Sequence, residues 1–227
     1  MKKSLALIDC KRALLFTDAE ITELPSCIER IEIDSISSLA DYSHFVLHRL
    51  ADWIETSHCL IVQWDGFVLS AENWEPEFLR CDYIGAPWPQ FSDGHDVGNG
   101  GFSLRSRRLM MACRQPGFLD DGSAEDLVIA RHNRHFLADN FGMIFADRSL
   151  ASRFSHERDG QDKQTFGFHG VFNLPSVAGL EDFWLLYRLL DHRGTVHTDF
   201  WSLIKAVAAG PQGLPRALRM LIDRLRG

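Results

Sequence analysis

The chain contains no apolar run near the roughly 20 residues that a membrane-spanning helix needs. Met1-Lys2-Lys3 is not followed by a signal-peptide core. Cysteine is scarce and scattered: five residues, at positions 10, 27, 59, 81 and 113, with no Cys-x-x-Cys pair. That excludes a disulfide framework and a cysteine zinc site, and it points to a reducing compartment. Positive charge is in deficit, with a formal net charge of -7, which argues against nucleic acid as a ligand. An anionic small molecule remains compatible, because a metal or a helix terminus holds phosphate even in an acidic protein. Internal repeats and low-complexity tracts are lacking too. A cytoplasmic protein is the expectation.

What is present is enough apolar residue for a core, 45% of 227 positions; a domain of this size buries roughly 70% of its unfolded surface. The central stretch is HCLIVQWDGFVLS, His58 to Ser70. Cys59, Leu60, Ile61 and Val62 form an unalternating apolar run, the pattern of a strand buried on both faces of a parallel sheet. Asp65-Gly66 after it reads in two ways: a simple turn, or an acid at the carboxyl end of a strand, where ligands bind in open α/β sheets.

Around this stretch, Lys3 to Cys10 is ambiguous between helix and strand, and Ala13 to Thr17 reads as a strand ending at Asp18. Ser38 with Asp41 marks a helix start. Leu39, Tyr42, Val46, Leu50 and Trp53 then give one apolar face running to about Glu55. Strand, helix, strand is a βαβ rhythm, hence an α/β fold. Residues 71–90, with Pro76, Pro87 and Pro89, read as loop, and Phe91 to Asp96 as a solvated polar loop. Three glycines around Asn99 call for positive φ or close approach by a ligand. A strand at Phe102 to Leu104, a short helix from Arg107 to Cys113, a helix from Ser123 to about Ala138, a short strand from Met143 to Ala146 and a turn at Thr165 to Gly170 follow. The tail holds helices near Phe183 to Leu190 and Phe200 to Ala208. A last basic helix has Leu214, Leu218, Leu221, Ile222 and Leu225 on one side and Arg216, Arg219, Arg224 and Arg226 on the other. Such a helix packs on its own domain or meets an anionic membrane surface. His44 and His48 stand four apart without an accompanying acid pattern, so no zinc site is read there.

Four elements recur in order: Asp65, the turn Gly98-Asn99-Gly100-Gly101, the pair Glu125-Asp126, and His169 in FGFHG. Their order and spacing resemble the GT-A glycosyltransferases, in particular the inverting β-1,3-galactosyltransferase-like branch. There an Asp-x-Asp motif precedes a Gly-Gly-aromatic-x-Leu-Ser segment, a Glu-Asp pair and a late histidine. QWDGFVL, DYIGAPW, VGNGGFSLRS, the Glu-Asp pair, RFSHE and FGFHG together resemble a bacterial family of uncharacterised glycosyltransferase-like domains, over Leu14 to Asn173. The resemblance implies a GT-A-like, Rossmann-like mixed sheet flanked by helices at 1–175 and a helical extension at 176–227. It also implies sugar transfer from a nucleotide-diphosphate donor to a glycan hydroxyl.

On that resemblance Asp65 and His169 are candidate ligands of Mn2+ or Mg2+, which would offset charge on the leaving pyrophosphate. Asp126, with Glu125 beside it, is the candidate general base; a carboxylate shielded from water near a second acid has a raised pKa. Ser123-x-x-Asp126 equally fits a helix N-cap. Asp18, Gln63, Trp64, Trp88, Asn99, Gly100, Gly101 and Phe102 are candidate donor or acceptor contacts, and Arg105 is either a phosphate partner or a surface charge. Gln63 stands where the broader pattern has an acid, and the strand at Ala13 to Thr17 matches the second strand of a GT-A domain rather than the first. These departures keep open a degenerate domain that binds a glycan or protein without turnover. A metal-dependent phospho- or nucleotidyltransferase is the third reading.

Overall fold

The computed structural model describes residues 1–158, 164–190 and 193–226. The chain opens with one helical turn, α1 (Lys2–Leu5), followed by the parallel pair β1 (Leu14–Thr17) and β2 (Glu29–Glu32). Helix α2 (Leu39–His48) starts as expected: Ser38 is extended and its hydroxyl accepts from the Asp41 amide at 3.1 Å. It stops earlier than its apolar pattern predicts, giving way to a 3-10 turn at Leu50–Trp53 that carries Leu50 and Ala51 into the core.

The apolar run forms β3 (His58–Val62), but its pairing differs from the expectation. It lies antiparallel to β6 (Phe102–Ser106), which also pairs with β5 (Tyr83–Ile84), and all five of its residues are half-buried. A third small sheet joins β4 (Phe67–Val68), β8 (Gly167–Phe168) and β7 (Ser155–His156). The proline-rich stretch is therefore not all loop. The expected strand at Met143 to Ala146 is only a bridge from Phe145 to Tyr83.

Helix α3 (Arg107–Ala112) is capped by the Ser106 hydroxyl, which accepts from the Leu109 amide. The expected single helix from Ser123 is broken into α4 (Glu125–Leu127), a wide π-helical turn at Val128–His132, and α5 (Arg134–Phe141). Asn133 enforces the break: its amide bonds back five residues to Val128, while its side chain ties to both backbone groups of Leu119. Helices α6 (Arg148–Phe154), α7 (Leu174–Val177), α8 (Leu180–Leu189), α9 (Phe200–Ala208) and α10 (Gly213–Arg226) complete the order.

The result is a mixed α/β domain of small sheets wrapped by helices. Phe102, Phe154 and Phe166 are fully buried against one another at its centre, each contributing about 2 kcal/mol through removal from water. A second cluster joins Phe168, Val171 and Leu174 to Phe183, Leu203 and Met220 of the tail helices. Helix α10 departs from its sequence pattern in part: Arg216 is buried and paired with Glu181 at 2.8 Å, and Leu214, Leu218 and Leu225 are exposed, while Leu221 packs against the tail cluster and Arg219, Arg224 and Arg226 stay exposed. None of the described helices is long and apolar enough to cross a membrane.

Candidate functional site

The ends of three strands and one helix start meet at the Asn99–Gly101 turn. Asn99 is the residue with positive φ, 66°; its side-chain oxygen accepts from the Gly101 amide at 3.1 Å and pins the bend. Gly100 and Gly101 are required for close approach instead. A Cβ on Gly100 would collide with the Glu125 carboxylate, and one on Gly101 with the His169 imidazole. The turn is thus a two-residue wall, with the acidic pair on one side and the histidine on the other.

On the acidic side, Glu125 and Arg105 are both buried and pair at 2.6 Å. Arg105, which the sequence leaves as a phosphate partner or a surface charge, is neither. It bonds Ser103, lies 5.0 Å from the Tyr83 ring centre, and is fully buried. Glu125 is its counter-charge and so is not a free base, which corrects its candidacy as one. Asp126 accepts from the Gly100 amide at 3.2 Å and the Leu127 amide at 2.8 Å. Burial first, and then the negative charge of Glu125, push its pKa from 3.8 up to about 6, while the two amides and Arg105 oppose this. Ser123 does not cap this helix; Ala124 occupies that position without a side-chain bond.

On the other side, Asp65 follows β3 and His169 follows β8. Asp65 Oδ1 lies 3.2 Å from His169 Nε2, and Gln63 Oε1 lies 3.3 Å from the same nitrogen. Glu157 faces the other ring nitrogen, 3.5 Å from Nδ1. Burial pulls the imidazole pKa down, but Asp65 and Glu157 together outweigh it and lift it to about 9. In this arrangement the ring is a cation at neutral pH. Asp65 Oδ1 and His169 Nδ1 are nevertheless buried without a well-directed hydrogen bond. A carboxylate and an imidazole nitrogen this close can reach one ion, with Glu157 behind the ring as the carboxylate that orients a ligating histidine. Two donors are too few to enclose a cation, so an ion held here would need further oxygens from a bound ligand. A separate group, His44, His48 and Asp120, offers three ligand atoms within 4.8 Å of one another. The acid that the helix sequence lacks there comes from a distant loop.

Among the remaining candidates, Trp64 is 41% exposed beside Asp65, a face available for stacking. Trp88 and Phe102 are not available: Trp88 is buried against Gly98, and Phe102 lies in the central cluster. Asp18 is exposed just beyond β1, and no bond from it to the other candidates is seen among the described residues. Asp96, read as solvated, is buried and paired with Arg148 at 2.6 Å. Two contributors went unassigned from sequence. Glu157 lies within RFSHE; Tyr42 is masked as an apolar helix position. The Tyr42 hydroxyl is buried near the acidic pair, and burial, reinforced by Glu125, raises its pKa to about 12.

The fold and site define an α/β domain whose glycine turn separates a shielded carboxyl from a carboxylate–histidine pair. Residues 26–169 match the family model described as "Protein of unknown function (DUF5672)", and the chain belongs to that family. The match spans all four segments of the site. Neither a curated protein nor a solved structure matches the chain.

Proposed function

We propose that this protein is a GT-A-like glycosyltransferase that moves a sugar from a nucleotide-diphosphate donor to a glycan hydroxyl with inversion. The observation that carries the reading is that Asp126 and His169 stand on opposite sides of the Gly100–Gly101 wall. Asp126, with its pKa near 6, takes the proton from the acceptor oxygen as that oxygen attacks C1 and the C1–O bond to pyrophosphate breaks. Mn2+ or Mg2+ held by Asp65 and His169 would supply the positive charge that the leaving pyrophosphate needs. Trp64 offers a stacking face, and Arg105 holds Glu125 in an ion pair, leaving Asp126 as the carboxyl that takes the acceptor proton.

The reading places the protein in the cytoplasm. A peripheral contact with the inner face of an anionic membrane would run through α10, where Leu214, Leu218 and Leu225 are exposed beside Arg219, Arg224 and Arg226. Sedimentation with anionic vesicles checks that contact. The second reading, a degenerate domain that binds without turnover, is favoured by Gln63 in the place of a second metal-binding acid. Turnover of a panel of nucleotide sugars with wild type and Asp126→Asn separates the two. Nucleotide release that Asp126→Asn abolishes supports the enzyme; donor binding with no release from the wild type supports the degenerate domain.

A further inference from the structure

Between β1 and β3 runs a cavity of about 830 Å³. It is lined by every consecutive residue from Leu14 to Phe16 and from His58 to Val62. Side chains alternate faces along a strand, so a cavity that touches consecutive residues of both strands runs along their edges, not across their faces.

The hydrogen bonds show which groups point into it. The Gln63 amide bonds Gly101 and the Arg107 amide bonds Ser57, so residues 57, 59, 61 and 63 aim their backbone at β6. Leu60 and Val62 therefore aim theirs away, into the cavity. The Glu29 amide bonds Ala13 and the Ile33 amide bonds Thr17, so Leu14 and Phe16 likewise turn away from β2. Each strand pairs on one side only among the described residues.

Two facing rows of unpaired amides and carbonyls specify an occupant with a complementary backbone. The walls specify its side chains. Leu14, Phe16, Cys59 and Ile61 pack with α2 on one face of the slot. Ile8, Trp74 and Phe166 lie with Leu60 and Val62 on the other. Met1, Ser4, Leu5 and residues 7–13 border the slot, and among the described residues none of them hydrogen-bonds either edge through its backbone.

We propose that this slot binds an extended apolar peptide segment of another polypeptide, which adds as a β-strand between β1 and β3. The segment is about five residues long, matching β3, or roughly 17 Å at 3.3 Å per residue. Because both faces are covered, its sequence is a run of Val, Ile and Leu rather than an alternating one.

The test titrates the full chain with a set of labelled, capped heptapeptides of Val, Ile and Leu bearing a lysine at each end, followed by fluorescence anisotropy. The same peptides N-methylated at every second residue serve as the control. Amide hydrogen exchange is read at Leu14, Phe16, Leu60 and Val62. The expected result is saturable binding, weakened about thirtyfold by N-methylation through the loss of two or three backbone bonds, with slowed exchange at those four amides. Absence of binding across the set, equal binding of methylated and unmethylated peptides, or displacement by dodecanoate without slowed exchange would overturn it. So would a dimer of the chain that protects the same amides, since a second copy then fills the slot.

Discussion

Replacing Asp126 with asparagine turns its environment into a measurable pH dependence. The folded protein holds this carboxyl near 6, whereas the unfolded chain titrates it at about 3.8. Between those values the folded state binds more protons than the unfolded one, so stability falls as pH rises through the window. At 1.36 kcal/mol per pH unit the full loss is about 3 kcal/mol, of which about 2.4 kcal/mol falls between pH 4 and pH 7. Asparagine does not ionise and escapes it. Its single carbonyl keeps only one of the two amide bonds from Gly100 and Leu127, which costs about 1 kcal/mol at every pH. Asp126→Asn is therefore about 0.5 kcal/mol less stable than wild type at pH 4 and about 2 kcal/mol more stable at pH 7.5. Urea unfolding at half-unit pH steps, with equal m-values, measures the gap. Other titrating groups are common to both proteins and cancel. A gap that stays constant across the range means that Asp126 titrates as an ordinary exposed carboxyl, and its assignment as a shielded base fails with it.

Four further outcomes follow from the same geometry. Arg105→Met strands the Glu125 charge in the interior and costs about 3–5 kcal/mol by thermal unfolding; adding Glu125→Gln recovers most of that loss. Gly101→Ala drives a methyl into the His169 ring and costs about 1–3 kcal/mol, while Gly94→Ala, in open space but at positive φ, costs about 1 kcal/mol. His169 gains its proton's stabilisation fully below pH 6.5 and loses it as pH rises through about 9. His169→Gln is therefore most destabilising at pH 6 and least at pH 10, read by denaturation at the two pH values. For the same reason Mn2+ must displace that proton, so its affinity, followed by electron paramagnetic resonance, rises about tenfold per pH unit up to pH 9 and is lost in Asp65→Asn.

The parts of the fold that sequence makes legible are those fixed by local chemistry. Ser38 caps α2 because its hydroxyl reaches an amide three residues on, and the β3 run declares itself by composition. Partners across the fold are another matter. The apolar run of β3 describes how deeply a strand sits but not the direction of its neighbour, and here the neighbour is antiparallel. The length of α2 and the break at Val128–His132 were hidden because tertiary ties, above all Asn133 to Leu119, override an unbroken helical pattern. In the site, the glycines signalled a close approach, but the groups that come close are the chain's own Glu125 and His169 rather than a ligand. Arg105 and Asp96 looked like surface charges because sequence does not show the buried partner that neutralises each. Trp88 and Phe102 stood next to the motif residues in sequence, yet in strands and turns neighbours point apart, and these two point into the core.

The most direct test of the central claim is calorimetric titration of the protein with nucleotide-diphosphate sugars at pH 8.5, with and without Mn2+. Saturable heat with at least one donor is the predicted result, stronger with Mn2+ and losing that enhancement in Asp65→Asn. No heat from any donor under either condition would contradict it.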